Sequence, residues 1–97
     1  MNKFTERLRI FDSMPELTKH MDNLDRVSYR YKGIRVVFEL YPKTGNGYIR
    51  GKDIMANNRH YVYFRDNKRG ISIADMSEGE IRALLRKVMA AIDIMGI

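Results

Sequence analysis

Positive charge and tyrosine rings are concentrated in one central block of the chain, residues 26–69. The block contains eleven Lys or Arg side chains and three acidic ones, a net charge of +8, and it contains all six tyrosines. Cations attract the phosphates of a nucleic acid, and flat aromatic rings stack on unpaired bases. The residue types of this block therefore predict a surface for a polyanion whose bases are exposed.

Two pairs of tyrosines recur with a period of two, Tyr29 with Tyr31 and Tyr61 with Tyr63, so each pair lies on one face of a strand. Tyrosine is also an ordinary core residue of a strand, so the alternative that these rings lie beneath the helices stays open. In that case the opposite face of the strand that begins at Arg26 is still basic. The predicted nucleic-acid-binding residues are Arg26, Tyr29, Arg30, Lys32, Arg35, Tyr48, Arg50, Lys52, Arg59, Tyr61, Tyr63, Arg65, Lys68 and Arg69.

The residue types of this chain give little support for catalysis. The chain has two histidines, His20 and His60, and no cysteine, so a nucleophile activated by a neighbouring base has few candidates. We place His20 on a helix and His60 in a strand, and neither has a second ligand at the His-x-x-x-His spacing of a zinc site. We expect a protein that is not an enzyme and that has no metal site and no cofactor.

The length of 97 residues predicts one domain with a single core, residues 1–97. No apolar run approaches the roughly 18 residues of a membrane span. The first residues lack the apolar stretch of a secretion signal, and there is no cysteine for a disulfide framework. We expect a cytoplasmic protein without a membrane partner.

A capping box predicts the start of a first, short helix. Ser13 with Glu16 three residues later caps an amphipathic helix over residues 14–24, and Pro15 is tolerated in its first turn. Residues 4–11 fit either a helix or a short strand, and both interpretations stay open.

A second capping box, Ser77 with Glu80, predicts a longer helix at the C-terminal end. Its apolar positions follow a helical stripe wide enough to cover a sheet or to pair with a second copy of the chain. The stripe consists of Ile81, Leu84, Leu85, Val88, Ile92 and Met95.

Segments with a period of two predict the strands of the sheet. They are residues 26–31, 34–41, 48–52, 59–65 and 71–73. The Lys32-Gly33 dipeptide predicts a tight turn between the first two. In the second strand, strict alternation places Ile34, Val36, Phe38 and Leu40 on the apolar face and Arg35, Val37, Glu39 and Tyr41 on the other.

The order of these elements predicts an α+β fold. We expect an antiparallel sheet of four to five strands, with a short N-terminal helix and a longer C-terminal helix packed on one face. The C-terminal helix either covers this sheet or forms the seam of a homodimer.

Two stretches resemble the positive-cofactor-four family of single-stranded-DNA-binding coactivators. Residues 26–41 (RVSYRYKGIRVVFELY) are similar to the first hairpin of the family, and residues 68–73 (KRGISI) are similar to its basic, glycine-containing last strand. With interruptions, the resemblance covers Arg26 to about Met95. It implies a curved antiparallel sheet followed by a helix, dimerisation partly through that helix, and basic strand residues that grip single-stranded DNA.

Our leading hypothesis is non-enzymatic binding of single-stranded DNA or RNA through the basic, tyrosine-bearing sheet. Single strands are favoured over duplexes because stacking on a sheet recognises unstacked bases, and no predicted helix is both basic and placed to read a groove. The rival hypothesis is a small protein-binding module, such as a mobile-element-encoded inhibitor, that docks its basic aromatic patch on an acidic partner surface. Tyr and Arg are enriched in protein interfaces too, so composition does not separate the two.

Overall fold

The structure is a computed structural model that describes residues 2–52, 54 and 70–96. Its elements are helix α1 (Lys3–Asp12), strands β1 (Thr18–Met21), β2 (Val27–Tyr31), β3 (Ile34–Leu40), β4 (Tyr48–Arg50) and β5 (Gly70–Ser72), and helix α2 (Glu78–Ile94). The strands form one sheet in the order β1-β2-β3-β4-β5, and each is antiparallel to its neighbour. The predicted α+β fold is confirmed.

Both helices pack on the same face of the sheet and share one hydrophobic core with it. From α2, the stripe beginning at Ile81 and ending at Ile92 is fully buried, and α1 contributes Ile10 and Phe11. Met95 lies after the helix and is 46% exposed, so it does not belong to the buried stripe. Of the two predicted roles of α2, the structure therefore shows the sheet cover, because the sheet of the same chain already buries the stripe.

The start of α2 was correctly predicted from its capping box. The Ser77 hydroxyl accepts a hydrogen bond from the Glu80 N–H at 3.2 Å, and the Glu80 carboxylate accepts one from the Ser77 N–H at 2.9 Å. Two of the N–H groups that a helix start leaves without helical partners are thereby satisfied.

The first predicted helix is wrong in position. The helix is α1, which is capped by the Asn2 side chain accepting from the Thr5 N–H at 2.8 Å. Ser13 ends this helix instead of beginning another, and its hydroxyl donates to the Ile10 carbonyl at 2.6 Å. Residues 4–11, for which helix and strand both stayed open, are therefore helical and lie within α1.

No α-helix forms over residues 14–24. This segment contains β1, and the 3₁₀ turn Asn23–Asp25 begins at its end. Among the apolar positions predicted to form its inward face, Met21 is 69% and Leu24 is 82% exposed. The pairing of β1 with β2 satisfies the backbone of this segment, and that ladder prevails over the helical spacing of a few side chains. The predicted placement of His20 on a helix is wrong for the same reason, because His20 lies in β1.

The remaining strand predictions agree with the structure to within one or two residues. Segments 26–31, 34–41, 48–52 and 71–73 correspond to β2, β3, β4 and β5. The predicted Lys32-Gly33 turn is present, and both of its residues have positive φ, 51° and 81°. The predicted strand 59–65 lies outside the described residues.

Strict alternation fails in β3 because this strand contains two register shifts against β2. Tyr29 pairs with Val37, whereas the adjacent Arg30 pairs with Arg35, so β3 has one extra residue between these pairs. Val36 and Val37 are consequently both buried. The predicted outward orientation of Val37 is therefore wrong.

The second shift lies between the pairs Tyr29 with Val37 and Val27 with Leu40. Glu39 in this interval has a φ of 55°, which is typical of a β-bulge. Phe38 follows the first shift and precedes Glu39. It therefore lies on the face opposite to the apolar face that strict alternation predicts for it.

A buried arginine connects α1 to the loop that precedes α2. The Arg7 side chain is 4% exposed, and one of its terminal nitrogens donates to the carbonyls of Ile73 at 2.8 Å and Met76 at 3.4 Å. Backbone carbonyl dipoles therefore take the place of a carboxylate in solvating this charge.

Among the described residues, no helix is long and apolar enough to cross a membrane.

Replacing Gly45 with alanine should destabilise the fold more than the same change at Gly33. Both glycines have positive φ, 73° and 81°, which disfavours an alanine by about 1–2 kcal/mol. A Cβ at Gly45 would also lie 2.5 Å from the Cβ of Lys3 and 2.6 Å from the backbone nitrogen of Phe4, whereas one at Gly33 would meet nothing within 4 Å. Because this obstacle is helix backbone, we expect Gly45→Ala to lower the free energy of unfolding by about 2 kcal/mol more than Gly33→Ala.

Urea denaturation of the two variants measures this difference. Equal losses would show that the close approach of the loop to α1 does not contribute to stability.

Candidate nucleic-acid interface

The sheet face opposite the helices, called the outer face here, is defined by the register of β2. Val27 and Tyr29 enter the core, so the alternate residues Ser28 and Arg30 point the other way. Residues directly paired across neighbouring strands share a face. The outer face therefore also carries Arg35, which pairs with Arg30.

An aromatic pair lies at the centre of the outer face. Phe38 in β3 pairs with Tyr48 in β4, and their ring centroids are 5.8 Å apart at an interplanar angle of 28°. The guanidinium carbon of Arg35 lies 5.0 Å from the centre of the Phe38 ring. Both rings are half-buried and Arg35 is exposed, so a cation and two nearly parallel rings form one stacked group at the surface.

Gly70 provides the space that this aromatic pair occupies. A Cβ at Gly70 would lie 2.7 Å from the tip of the Phe38 ring and 2.8 Å from the Cβ of Tyr48. The glycine that the sequence places at the start of the last strand therefore allows the ring of Phe38 to lie over β5.

Two further arginines extend the positive charge on both sides of the aromatic pair. Arg50 in β4 pairs with Gly70 in β5, which places it on the outer face beyond Tyr48. At the other end, the guanidinium carbon of Arg26 lies 4.7 Å from the centre of the Tyr41 ring. Cations thus flank aromatic rings from β2 to β4.

The ion pairs whose two partners are both described lie on the side of the helices. Among the described residues, the ion pairs are Arg9 and Arg82 with Glu78, Lys19 with Asp12, Lys32 with Asp93, and Arg86 with Glu16. Within this part of the chain, none involves Arg26, Arg30 or Arg35. These three guanidinium groups therefore have no carboxylate within ion-pair distance among the described residues.

Lys32 belongs to the helix side and not to the outer face. Its ammonium group lies 2.6 Å from the Asp93 carboxylate in α2, which also accepts a hydrogen bond from the Tyr31 hydroxyl at 2.8 Å. These two donors lower the pKa of Asp93, and the shared carboxylate raises the pKa of both Lys32 and Tyr31. The structure places the predicted site residue Lys32 in this polar cluster.

Tyr29 is a core residue and offers no face to a base. Its side chain is 1% exposed, its ring lies 5.2 Å from that of Phe11, and its hydroxyl donates to Asp12 at 2.7 Å. For this tyrosine the structure selects the core alternative that the sequence left open. Burial raises its pKa, and the hydrogen bond to Asp12 raises it further.

The structure therefore brings together part of the predicted site. The predicted residues on the outer face or at its edge are Arg26, Arg30, Arg35, Tyr48 and Arg50. Lys52 is exposed in the turn after β4. The predicted residues Arg59, Tyr61, Tyr63, Arg65, Lys68 and Arg69 lie outside the described residues.

Sequence reasoning missed Phe38, the central ring of the site, because strict alternation sends it into the core. The adjacent residues Val36 and Val37 are the sequence feature that indicates an irregular strand. Two neighbouring β-branched residues cannot both face inward in a regular strand, so burial of both requires a bulge that reverses the alternation beyond it.

A groove of about 650 Å3 lies at the end of the outer face where β1 turns into β2. Arg26 and Arg35 line it together with the acidic side chains of Asp22 and Glu39. Charges of both signs meet here, so the groove itself is not purely basic.

Comparisons with protein-family models, with curated proteins and with solved structures found no match to this chain. Among the described residues there is also no group of three side chains able to hold a metal ion. The geometry of the outer face is therefore the feature of this chain that bears on its function.

The stability of the fold should decrease above pH 10, and Tyr29→Phe should reduce this decrease. An unfolded tyrosine ionises near pH 10, whereas Tyr29 in the folded state stays protonated because its pKa is raised. Its contribution is therefore fully present below pH 10 and is lost as the pH rises beyond it, by at most about 1.4 kcal/mol per pH unit. Urea denaturation between pH 9 and about pH 11 measures the slope.

Tyr31→Phe is the matched control, because the Tyr31 hydroxyl also donates to a carboxylate but its side chain is only half-buried, so its removal should change the slope much less than removal of the buried Tyr29 hydroxyl. The same slope in wild-type protein and Tyr29→Phe would contradict the assignment.

Proposed function

We propose that this protein binds single-stranded nucleic acid, DNA or RNA, on the outer face of its sheet and that it does so without catalysis. The observation that carries the proposal is the stacked group of Arg35, Phe38 and Tyr48. It lies on a face where Arg26, Arg30 and Arg35 have no carboxylate partner among the described residues. Aromatic rings that stack on bases and cations that attract phosphates are the two components of a single-strand site.

The helix side is less suited to nucleic acid than the outer face. The two arginines of α2, Arg82 and Arg86, are paired with Glu78 and Glu16. A helix whose arginines are already paired with carboxylates is a poor reader of a duplex groove. The preference for single strands over duplexes follows from this contrast.

The resemblance to the positive-cofactor-four family supports the same class of ligand, since that family grips single strands with basic strand residues. It also implies a dimer formed partly through the C-terminal helix. The site proposed here lies within one protomer, so binding does not require a second copy. The lack of cysteine suits a role in the reducing cytoplasm.

A protein partner is the second candidate, and the tip of the β1–β2 hairpin is the observation that favours it. Met21 and Leu24 are largely exposed there, and Leu24 has a left-handed φ of 62° that disfavours a non-glycine residue. Exposed apolar side chains and conformational strain at a tip are common in contact surfaces. This tip adjoins the mixed-charge groove, so a protein contact there would lie beside the nucleic-acid site.

Anisotropy titration of a fluorescent thymidine oligonucleotide of about 12 nucleotides at several salt concentrations tests the proposal. We expect the logarithm of the affinity to fall linearly with the logarithm of salt concentration, and Arg35→Ala to reduce the slope by about 0.7. Phe38→Leu keeps an apolar cover over Gly70 but removes the ring, so it should weaken binding about tenfold at an unchanged slope.

Lys87→Ala is the matched control, because it removes one positive charge from the exposed side of α2. It should change neither affinity nor slope. The absence of binding at low salt, or wild-type affinity in Phe38→Leu, would reject the proposal, and the first result would favour the acidic protein partner.

A further inference from the structure

Three consecutive outward positions on β2 and at its start carry polar atoms that are buried and unpartnered. Among the described residues, the Nε of Arg26, the hydroxyl of Ser28 and the Nε of Arg30 have no hydrogen-bond partner. Ser28 is fully buried, whereas the two arginines are half-buried. Buried polar groups in folded proteins are nearly always hydrogen-bonded, so a row of three exceptions on one face needs an explanation.

The three groups share a need for acceptors. The Nε of an arginine is a donor only, and a serine hydroxyl has a proton to donate. The Ser28 hydroxyl lies among long side chains, because His20 is directly across from it on β1 and Arg26 and Arg30 are its neighbours along the strand. Access of a ligand to the Ser28 hydroxyl requires rotation of the two arginine side chains, which are long and have several rotatable bonds.

The spacing of the row suits a polymer of anions. Residues two apart on a strand are separated by about 6.6 Å, which is similar to the distance between successive phosphates in an extended single strand. A phosphodiester supplies charged oxygen acceptors at each repeat, and charge-assisted hydrogen bonds to such acceptors are the strong ones. The aromatic pair Phe38 and Tyr48 lies to one side of this row, on β3 and β4.

We infer that β2 is the track for the sugar-phosphate backbone of the bound single strand. The polymer lies parallel to β2, with successive phosphates over Arg26, Ser28 and Arg30, and its bases extend across β3 towards Phe38 and Tyr48. This inference rests on the proposed function and adds the direction of the polymer and the residues that contact its backbone.

Ser28→Ala tests the inference because two of its effects should have opposite signs. In the free protein the hydroxyl lacks a partner, so its removal should leave the urea midpoint unchanged or raise it. In the complex the hydroxyl donates to a phosphate, so the same variant should bind the thymidine oligonucleotide about tenfold more weakly. Ser72→Ala is the control for stability, because the Ser72 hydroxyl accepts from the Ala74 N–H at 3.3 Å and its loss should lower the midpoint.

Arg30→Ala provides a second and independent arm. It should reduce the salt slope by about 0.7, as expected for one lost phosphate contact on a single strand. With an oligonucleotide whose phosphates are replaced by uncharged methylphosphonates, the differences between wild-type protein and both variants should shrink to less than about twofold, since the charged acceptors are gone.

A lowered urea midpoint in Ser28→Ala would show an internal partner for the hydroxyl and overturn the inference. Wild-type affinity of Ser28→Ala, or an unchanged salt slope in Arg30→Ala, would also overturn it. In either case, continued sensitivity of binding to Phe38→Leu would leave the proposed function intact. If the wild-type protein itself binds no single strand, the proposed function fails first.

Discussion

The candidate site depends on one constraint, the two register shifts in β3. A regular strand of this sequence would send Phe38 into the core and turn Val37 towards the outer face. The shifts place Val36 and Val37 together in the core and return Phe38 to the outer face, next to Tyr48 and Arg35. Bulges commonly redirect a side chain at functional sites, and here they join the central ring of the outer face to its cations.

The two faces of the sheet differ in how their charged side chains are paired. On the helix side, carboxylates such as Glu78 and Asp93 lie within ion-pair distance of basic groups. On the outer face, the arginines of β2 and β3 contact aromatic rings or keep unpartnered nitrogens. Arg26 and Arg30 are half-buried and have no ion-pair partner among the described residues, so their charges add little to the stability of the free protein. Their arrangement is consistent with selection for a ligand rather than for stability.

Helix caps, apolar stripes and turn residues predicted the fold correctly where the tertiary contacts favour the same element. The capping box at Ser77 and the apolar stripe of α2 suffice for that helix, and the Lys32-Gly33 turn suffices for the β2–β3 hairpin. The same kind of signal failed at Ser13, because pairing with β2 stabilises residues 18–21 as a strand. A single sequence does not display that competition between a local cap and a distant partner strand.

The candidate site was only partly predictable for a similar reason. The positive charge of the central block and the outward positions of Arg35, Tyr48 and Arg50 follow from residue type and alternation. Phe38 and the core position of Tyr29 depend on register and on what the helices cover, and these are properties of the assembled sheet. Residue type alone assigns Tyr29 and Tyr48 the same role, whereas the structure gives them different ones.

The buried Arg7 has a consequence for the order in which the chain becomes native on the ribosome. Its acceptors lie in the segment just before α2, and Ile10 and Phe11 share a core with α2. Of the two helices, α1 is synthesised first, and it therefore has no permanent place until α2 has emerged from the exit tunnel. Until then, a guanidinium group and two large apolar side chains remain accessible to chaperones, so the core closes only after α2 has been synthesised.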